Sequence, residues 1–153
     1  MTNNVPEGFI DFPFSMGFIA TTGPLMIKRV KNDVFLGLRI EDKHCNPANT
    51  CHGGMLMTFA DMQLAIGGQV YIDTRKFLPT IQMSCDFVSP APNGAWLEGR
   101  TQLIKQTRTL MFVTCILTAD GKTVFSGSGI MKIPSDTGAF ADISLPIGRE
   151  EGN

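Results

Sequence analysis

His44-Cys-Asn46-Pro-Ala-Asn-Thr-Cys-His52-Gly53-Gly54-Met-Leu-Met-Thr-Phe-Ala-Asp61 runs from a polar loop into a strongly apolar segment with one acid in its interior. The apolar pattern continues to about Tyr71, which predicts a helix over residues 53–71. Asp61 and Gln63 are its main polar interruptions, so the helix lacks a solvated face and is expected to be covered on most sides. From His44 to Thr74 there is no Lys or Arg, which leaves Asp61 without a basic neighbour in sequence. A carboxylate set among Met57, Phe59, Ala60, Leu64 and Ala65 is costly to bury unless something outside the helix satisfies it. Apolar surroundings also disfavour the charged form of an acid, a condition under which carboxyl groups do proton chemistry near neutrality. The plain alternative is an acid on a partly exposed helix face.

Strand signals flank this helix. Residues 25–30 and 34–40 read as a strand pair joined by a Lys-Asn-Asp turn. After the helix come four strand-like segments at 80–89, 95–105, 110–119 and 123–133. Their links carry turn chemistry: Pro-Ala-Pro-Asn-Gly at 90–94, a short link near Thr107 and Arg108, and the hairpin signal Asp120-Gly121. The expected order is two strands, one long buried helix and a four-stranded antiparallel meander. That is an α+β architecture in which a sheet curls around one helix. Residues 1–20 read as an irregular or short helical lead-in, and residues 139–153, without a sustained period, as a loose tail. One domain over 1–153, with its core at about 22–134, accounts for the whole chain.

Composition narrows the function classes. A hydrophobic content of 43% and a charged content of 18% describe a globular chain, and a net charge of −1 argues against nucleic acid as a partner. No segment reaches the ~20 apolar residues of a membrane span, and the N-terminus lacks the pattern of a secretory signal. Four cysteines, Cys45, Cys51, Cys85 and Cys115, form no C-x-x-C pair. His44, Cys45, Cys51 and His52 do cluster, but Cys85 and Cys115 sit on strand-like segments where free thiols are usual, so no metal site is expected. The expectation is a reduced, cytoplasmic protein.

The order of elements, together with Asn46-x₅-His52-Gly53-Gly54-x₆-Asp61, resembles the hotdog-fold acyl-CoA thioesterases. Within them it is most similar to the phenylacetate-degradation and THEM-type branch of the 4-hydroxybenzoyl-CoA thioesterase superfamily. The resemblance extends from about Val34 to Ile133 and includes Thr80-Ile-Gln-Met-Ser-Cys-Asp-Phe-Val-Ser-Pro-Ala91 and Lys105-Gln-Thr-Arg108-Thr-Leu. It implies a hotdog fold: a curved antiparallel sheet wrapped around the long helix. It also implies hydrolysis of an acyl-CoA thioester, with coenzyme A as part of the substrate and no separate cofactor. One position departs: Asn49 stands where members carry Gly, and Asn is among the residues that tolerate the left-handed backbone.

Each candidate residue has a chemical reason. Gly53 and Gly54 open the helix, where the first N–H groups lack intrahelical partners and the dipole is positive. A thioester oxygen can approach them closely, and one such donor is typically worth ~3 kcal/mol of barrier. Glycines that merely permit a tight turn into the helix are the competing reading. Asp61 is expected to act as general base on a water or as nucleophile. The resemblance places Asn46 at the thioester carbonyl or the water, and Thr80 beside the acid. His52 is expected to support the loop, and His44 to be a solvated loop residue. Lys105 and Arg108, at a loop, are candidate partners for the coenzyme A phosphates, Arg108 having the planar fork that suits phosphate.

Helix geometry adds a constraint of its own. Gly53 and Asp61 are eight residues apart, ~12 Å along one axis, so one helix cannot bring both to one carbon. Antiparallel helices from two subunits can. A homo-oligomer follows, at the least a dimer with a shared site; a dimer of dimers is what the resemblance alone implies. Two other readings stay open: a hotdog protein that binds acyl-CoA without turnover, and an acyl-thioester hydratase or dehydratase. Asn46-Pro47 faintly matches the hydratase signature, which fails at its two catalytic positions.

Overall fold

The computed structural model describes residues 4–14 and 16–135. Two helices, α1 (Gly17–Thr22) and α2 (Gly53–Tyr71), accompany seven strands. These are β1 (Ile10–Asp11), β2 (Met26–Val30), β3 (Asp33–Arg39), β4 (Thr80–Phe87), β5 (Trp96–Gln106), β6 (Leu110–Ala119) and β7 (Lys122–Lys132). They form one antiparallel sheet in the order β1-β2-β3-β5-β6-β7-β4. α2 lies across it over β3, β5 and β6, the curved sheet and single long helix of the hotdog fold. Among the described residues, no helix is long and apolar enough to cross a membrane.

The core forms where the helix meets the sheet. Leu36, Leu38, Leu97, Met111, Leu117, Phe125 and Met131 are fully buried against Phe59 and Leu64 of α2. Burying each such side chain contributes about 1.5–3 kcal/mol. The close seat of α2 requires Gly67 and Gly68, because a Cβ there would come within 2.2 Å of the Thr101 hydroxyl and 2.1 Å of the Met111 methyl. Gln63 is fully buried and satisfied: it accepts from Leu36 N–H at 2.9 Å and donates to the Val34 carbonyl and the Thr101 hydroxyl, each at 2.8 Å. This polar interruption of the helix bonds the backbone of β3 and the side chain of β5 where their ladder has ended.

Three expectations are corrected. The four strands after the helix are not a meander: β5, β6 and β7 are, but β4 lies at the far edge and pairs with β7. β5 takes the place beside β3, through Gly37–Glu98 and Arg39–Trp96. The link that leaves β4 carries Pro90 and Pro92, which have no N–H for a hairpin ladder. It docks instead on the loop before α2, where Cys51 N–H donates to the Ala91 carbonyl at 2.7 Å. The Asp120-Gly121 hairpin is as expected, with both residues at positive φ, 46° and 82°, as a type I′ turn requires.

The lead-in holds a short helix, α1, one of its two expected forms, but is more than that. β1 adds to β2, and Phe9 and Phe12 are buried, so the packed body begins well before residue 22. The tail expected at 139–153 lies outside the described residues.

His44, expected in solvent, is 3% exposed. It sits in a short 3₁₀ turn, Asp42–His44, where its Nδ1 accepts from Glu41 N–H at 2.9 Å. Its Nε2 meets the Thr22 carbonyl at 2.6 Å, which makes Nε2 the protonated nitrogen of a neutral ring. The ring thus ties α1 to the loop that leads into α2. Burial pushes its pKa below the ordinary 6.5, with the Thr22 hydrogen bond opposing and the nearby Lys43 charge adding to the shift. The folded state then binds fewer protons than the unfolded chain as pH falls below 6.5, so this contribution to stability is full above that pH and lost below it. Thermal melts between roughly pH 7 and pH 5 should therefore show a falling melting temperature. The fall should be shallower in His44→Gln, and an equal slope in both proteins would refute this role.

Candidate active site

Asp61 is half-buried on the flank of α2 that the sheet leaves partly open, beside Met57, which is 42% exposed. The helix is therefore less covered than its composition suggests. The partner that Asp61 lacks in sequence comes from β4: the Thr80 hydroxyl donates to Asp61 Oδ1 at 2.5 Å. That bond leaves Oδ2 open and aims the lone pairs of Thr80 Oγ1 at the same space.

The space is a cavity of about 360 Å³. Apart from Asp61, Thr80 and Gln69, the described residues that wall it are apolar, Phe12, Phe14 and Phe77 among them. Phe12 and Phe14 come from the lead-in and meet edge-on at 5.7 Å between ring centres. Sequence reasoning missed these aromatic walls, and nothing in their local pattern signals them. It also passed over Gln69, for which there was a signal: Asp61, Ala65 and Gln69 recur at four-residue spacing on one helix face.

The second group of candidates gathers at the start of α2. His52 is its N-cap, and its Nδ1 accepts from Gly54 N–H at 2.9 Å. The next two amides, of Met55 and Leu56, donate to the His52 carbonyl at 2.9 and 3.1 Å. Of the two glycine donors expected to be open, Gly54 is thus occupied. Gly53 N–H has no partner among the described residues. It points out of the positive end of the helix, where an anionic oxygen is favoured.

The loop before it is held by Asn46, whose Oδ1 accepts from Ala48 N–H at 3.0 Å and from both the N–H and the hydroxyl of Thr50 at 3.2 Å. Three donors on one oxygen fix the orientation of the amide, and its Nδ2 has no acceptor among the described residues. Asn49 adopts the left-handed conformation at φ 58°, and its Oδ1 accepts from Asn93 Nδ2 at 2.9 Å.

Lys105 and Arg108 belong to the other end of the sheet. Lys105 lies in β5, just after a bulge, rather than in a loop as expected, while Arg108 is in the β5–β6 turn. Both are exposed. A row of paired residues, Gln106–Met111–Met131–Thr80, crosses the sheet from that turn to Thr80. Three strand spacings make it ~14 Å, so within one chain neither cation reaches Asp61. The four cysteines are free thiols, and burial pushes Cys51 and Cys115 up to about 12, which removes them as nucleophiles at neutral pH. His44 has both ring nitrogens committed. The structure thus joins Asp61 with Thr80 in the middle of α2, and sets Gly53 and its cap His52 at the helix start, after the loop that Asn46 holds.

The chain is similar to several known proteins. A family model described as the thioesterase superfamily matches residues 48–126. A Pseudomonas aeruginosa protein provisionally named as an esterase is 32% identical over 132 residues, covering 86% of this chain and 98% of that protein. Human acyl-coenzyme A thioesterase 13 is 27% identical over 106 residues, 67% of this chain and 74% of its own length. Among solved structures, a mutant of the phenylacetic acid degradation protein PaaI from Thermus thermophilus superposes with a TM-score of 0.66. It shares 21% identity over 75% of this chain and 96% of its own.

Proposed function

This chain belongs to the thioesterase superfamily, and we propose that it hydrolyses acyl-coenzyme A thioesters to the free acid and coenzyme A in a site built by two subunits. The observation that carries the reading is the Asp61–Thr80 pair at an apolar cavity sized for an acyl group.

In the proposed reaction a water sits between Asp61 Oδ2 and Thr80 Oγ1. Asp61 takes its proton as the water oxygen bonds to the thioester carbon. The carbonyl oxygen becomes an oxyanion held by Gly53 N–H, with Asn46 Nδ2 as a second donor. Collapse of that intermediate breaks the carbon–sulfur bond and expels the coenzyme A thiolate, which is protonated on release. His52 supports the oxyanion donor by capping the helix and occupying Gly54 N–H. Lys105 and Arg108 are the proposed contacts for the coenzyme A phosphates. Coenzyme A enters as substrate, and the steps draw on no other cofactor.

β4 supports the two-subunit site. It is an eight-residue edge strand without Pro or Lys, and Ile81, Phe87 and Val88 are more than half exposed on and just beyond it. Such an edge is a template for another strand. Pairing with β4 of a second copy about a two-fold axis sets the two α2 helices antiparallel, so that Gly53 of one faces Asp61 of the other. Four unpaired cysteines fit a reducing compartment such as the cytoplasm. The hydratase alternative finds no support at Asn49, whose side chain is bonded to Asn93 and carries no base.

The test is a panel of benzoyl-, phenylacetyl- and medium-chain acyl-CoAs with free thiol as the readout. Release of coenzyme A with saturation kinetics is expected for at least one apolar acyl group. Tight binding across the panel without turnover would replace this reading with that of an acyl-CoA-binding protein.

A further inference from the structure

The cavity beside Asp61 is lined by a side chain whose acceptor no described residue satisfies. Asp61, Ala65 and Gln69 line it from one face of α2, a run of ~12 Å at the helical rise. Gln69 is 4% exposed. Its Nε2 donates to the Lys76 carbonyl at 2.8 Å, and only the amide nitrogen can do so, which fixes the orientation of the group. Oε1 therefore points elsewhere, and no described residue donates to it. It is not sealed off either, because every fully buried side-chain oxygen or nitrogen among the described residues has a partner. The cavity is the space that Gln69 lines.

An amide oxygen opening on an otherwise apolar wall favours a ligand that brings a donor there, since an unmet acceptor in such a place is costly. The sign of charge in the cavity narrows the ligand further. Among the described residues no Lys, Arg or His lines it, and Asp61 is the one ionisable group that does. An acyl group ending in a carboxylate would meet no counter-charge and would face a carboxylate and a carbonyl oxygen. A neutral hydroxyl meets Oε1 as a donor at no such cost.

We infer that Gln69 reads the remote end of the acyl group, and that the preferred substrate is a neutral, medium-length acyl thioester bearing a hydroxyl at the end away from the sulfur. This inference rests on the thioesterase reading of Asp61. The length follows from geometry. With the thioester carbon at Asp61 and a hydroxyl at Gln69, an extended chain must span most of ~12 Å, which at ~1.2 Å per bond is about eight to ten bonds. An 8-hydroxyoctanoyl group has that reach.

The test compares kcat/KM for octanoyl-, 8-hydroxyoctanoyl- and 8-methoxyoctanoyl-CoA in the wild type and in Gln69→Leu. The methoxy compound keeps the oxygen and lacks the donor, so it separates hydrogen bonding from polarity. Ratios measured within one enzyme cancel any general loss of activity from the missing Lys76 tie. The wild type should favour the hydroxy substrate over both others by about tenfold, the worth of one hydrogen bond to a buried acceptor, and Gln69→Leu should lose that preference. Turnover of octanoyl-CoA at least as efficient as that of the hydroxy compound in the wild type would overturn the inference alone. So would an undiminished preference in Gln69→Leu. Absence of thiol release from all three would overturn the thioesterase reading and this inference with it.

Discussion

Asp61→Ala is expected to lower kcat/KM for acyl-CoA hydrolysis by roughly 10²–10⁴-fold, with little change in melting temperature. The asymmetry follows from where the residue sits. Asp61 is half-buried on the open flank of α2, outside the core built on Phe59 and Leu64, so its removal creates no cavity among packed side chains. The partner it leaves behind, the Thr80 hydroxyl, is exposed and can turn to water. Taking a carboxylate out of apolar surroundings also costs the fold little. In the proposed mechanism, by contrast, chemistry loses the group that accepts the proton from water. Asp61→Asn is the sharper variant, since its amide oxygen can still accept from Thr80 while no base remains. Unchanged thiol release in either variant, with substrate saturating, would sink the mechanism. A variant that unfolds would instead contradict the placement of Asp61 outside the core.

Gly53→Pro should cost about 10²–10³-fold in kcat, the usual worth of one oxyanion donor, and should leave the helix intact. Proline deletes the N–H at the one position of α2 where a helix accepts it, the first. The preceding residue already has the backbone that proline demands, with His52 at φ −61° and ψ 137°. A Cβ at residue 53 would lie 3.1 Å from the Phe87 ring, and that ring is 54% exposed, free to move by the few tenths of an ångström required. Gly53→Ala makes the same steric change and keeps the N–H, so it should retain most activity. If alanine and proline were equally damaging, the amide would not be the reason.

The same pair of variants tests the shared site. With the site shared as proposed, a mixed dimer of Gly53→Pro and Asp61→Ala would have one site carrying both defects and one carrying neither. Refolding the two inactive proteins together at equal amounts should restore about one quarter of wild-type activity, because half the dimers are mixed and each has one intact site of two. Activity that stays at the sum of the parents would place the whole site within a single subunit.

Local physics made much of this readable from the chain. The extent of α2, the strand segments and the Asp120-Gly121 turn follow from hydrophobic period and backbone preference, which act over a few residues. Asn49 is an instructive case: it stands where glycine is usual, and it takes the left-handed conformation that glycine would. The opening of the helix at Gly53 was equally legible, since unpaired amides are a property of any helix start. What was not legible is instructive too. His44 looked like one more polar loop residue, yet its two ring nitrogens join Glu41 to Thr22, a contact across twenty-two residues that no local pattern announces. The same is true of β4, whose own composition suits a strand but does not say which neighbour it will have.

By itself, then, the sequence determined α2 and the strands from β2 to β7, the isolation of Asp61 from any basic neighbour, and the ~12 Å that separates it from Gly53 along one helix. Those are consequences of chain geometry and of side-chain polarity at fixed spacing. Only the tertiary structure decided that Thr80 is the hydrogen-bond partner of Asp61, that Phe12 and Phe14 return from the lead-in to wall the cavity, and that Gln69 lines it with its amide nitrogen tied to Lys76. Each of these depends on which distant segments the curved sheet brings against α2. That choice is made by the burial of the whole apolar surface at once, and no single stretch of the chain contains it.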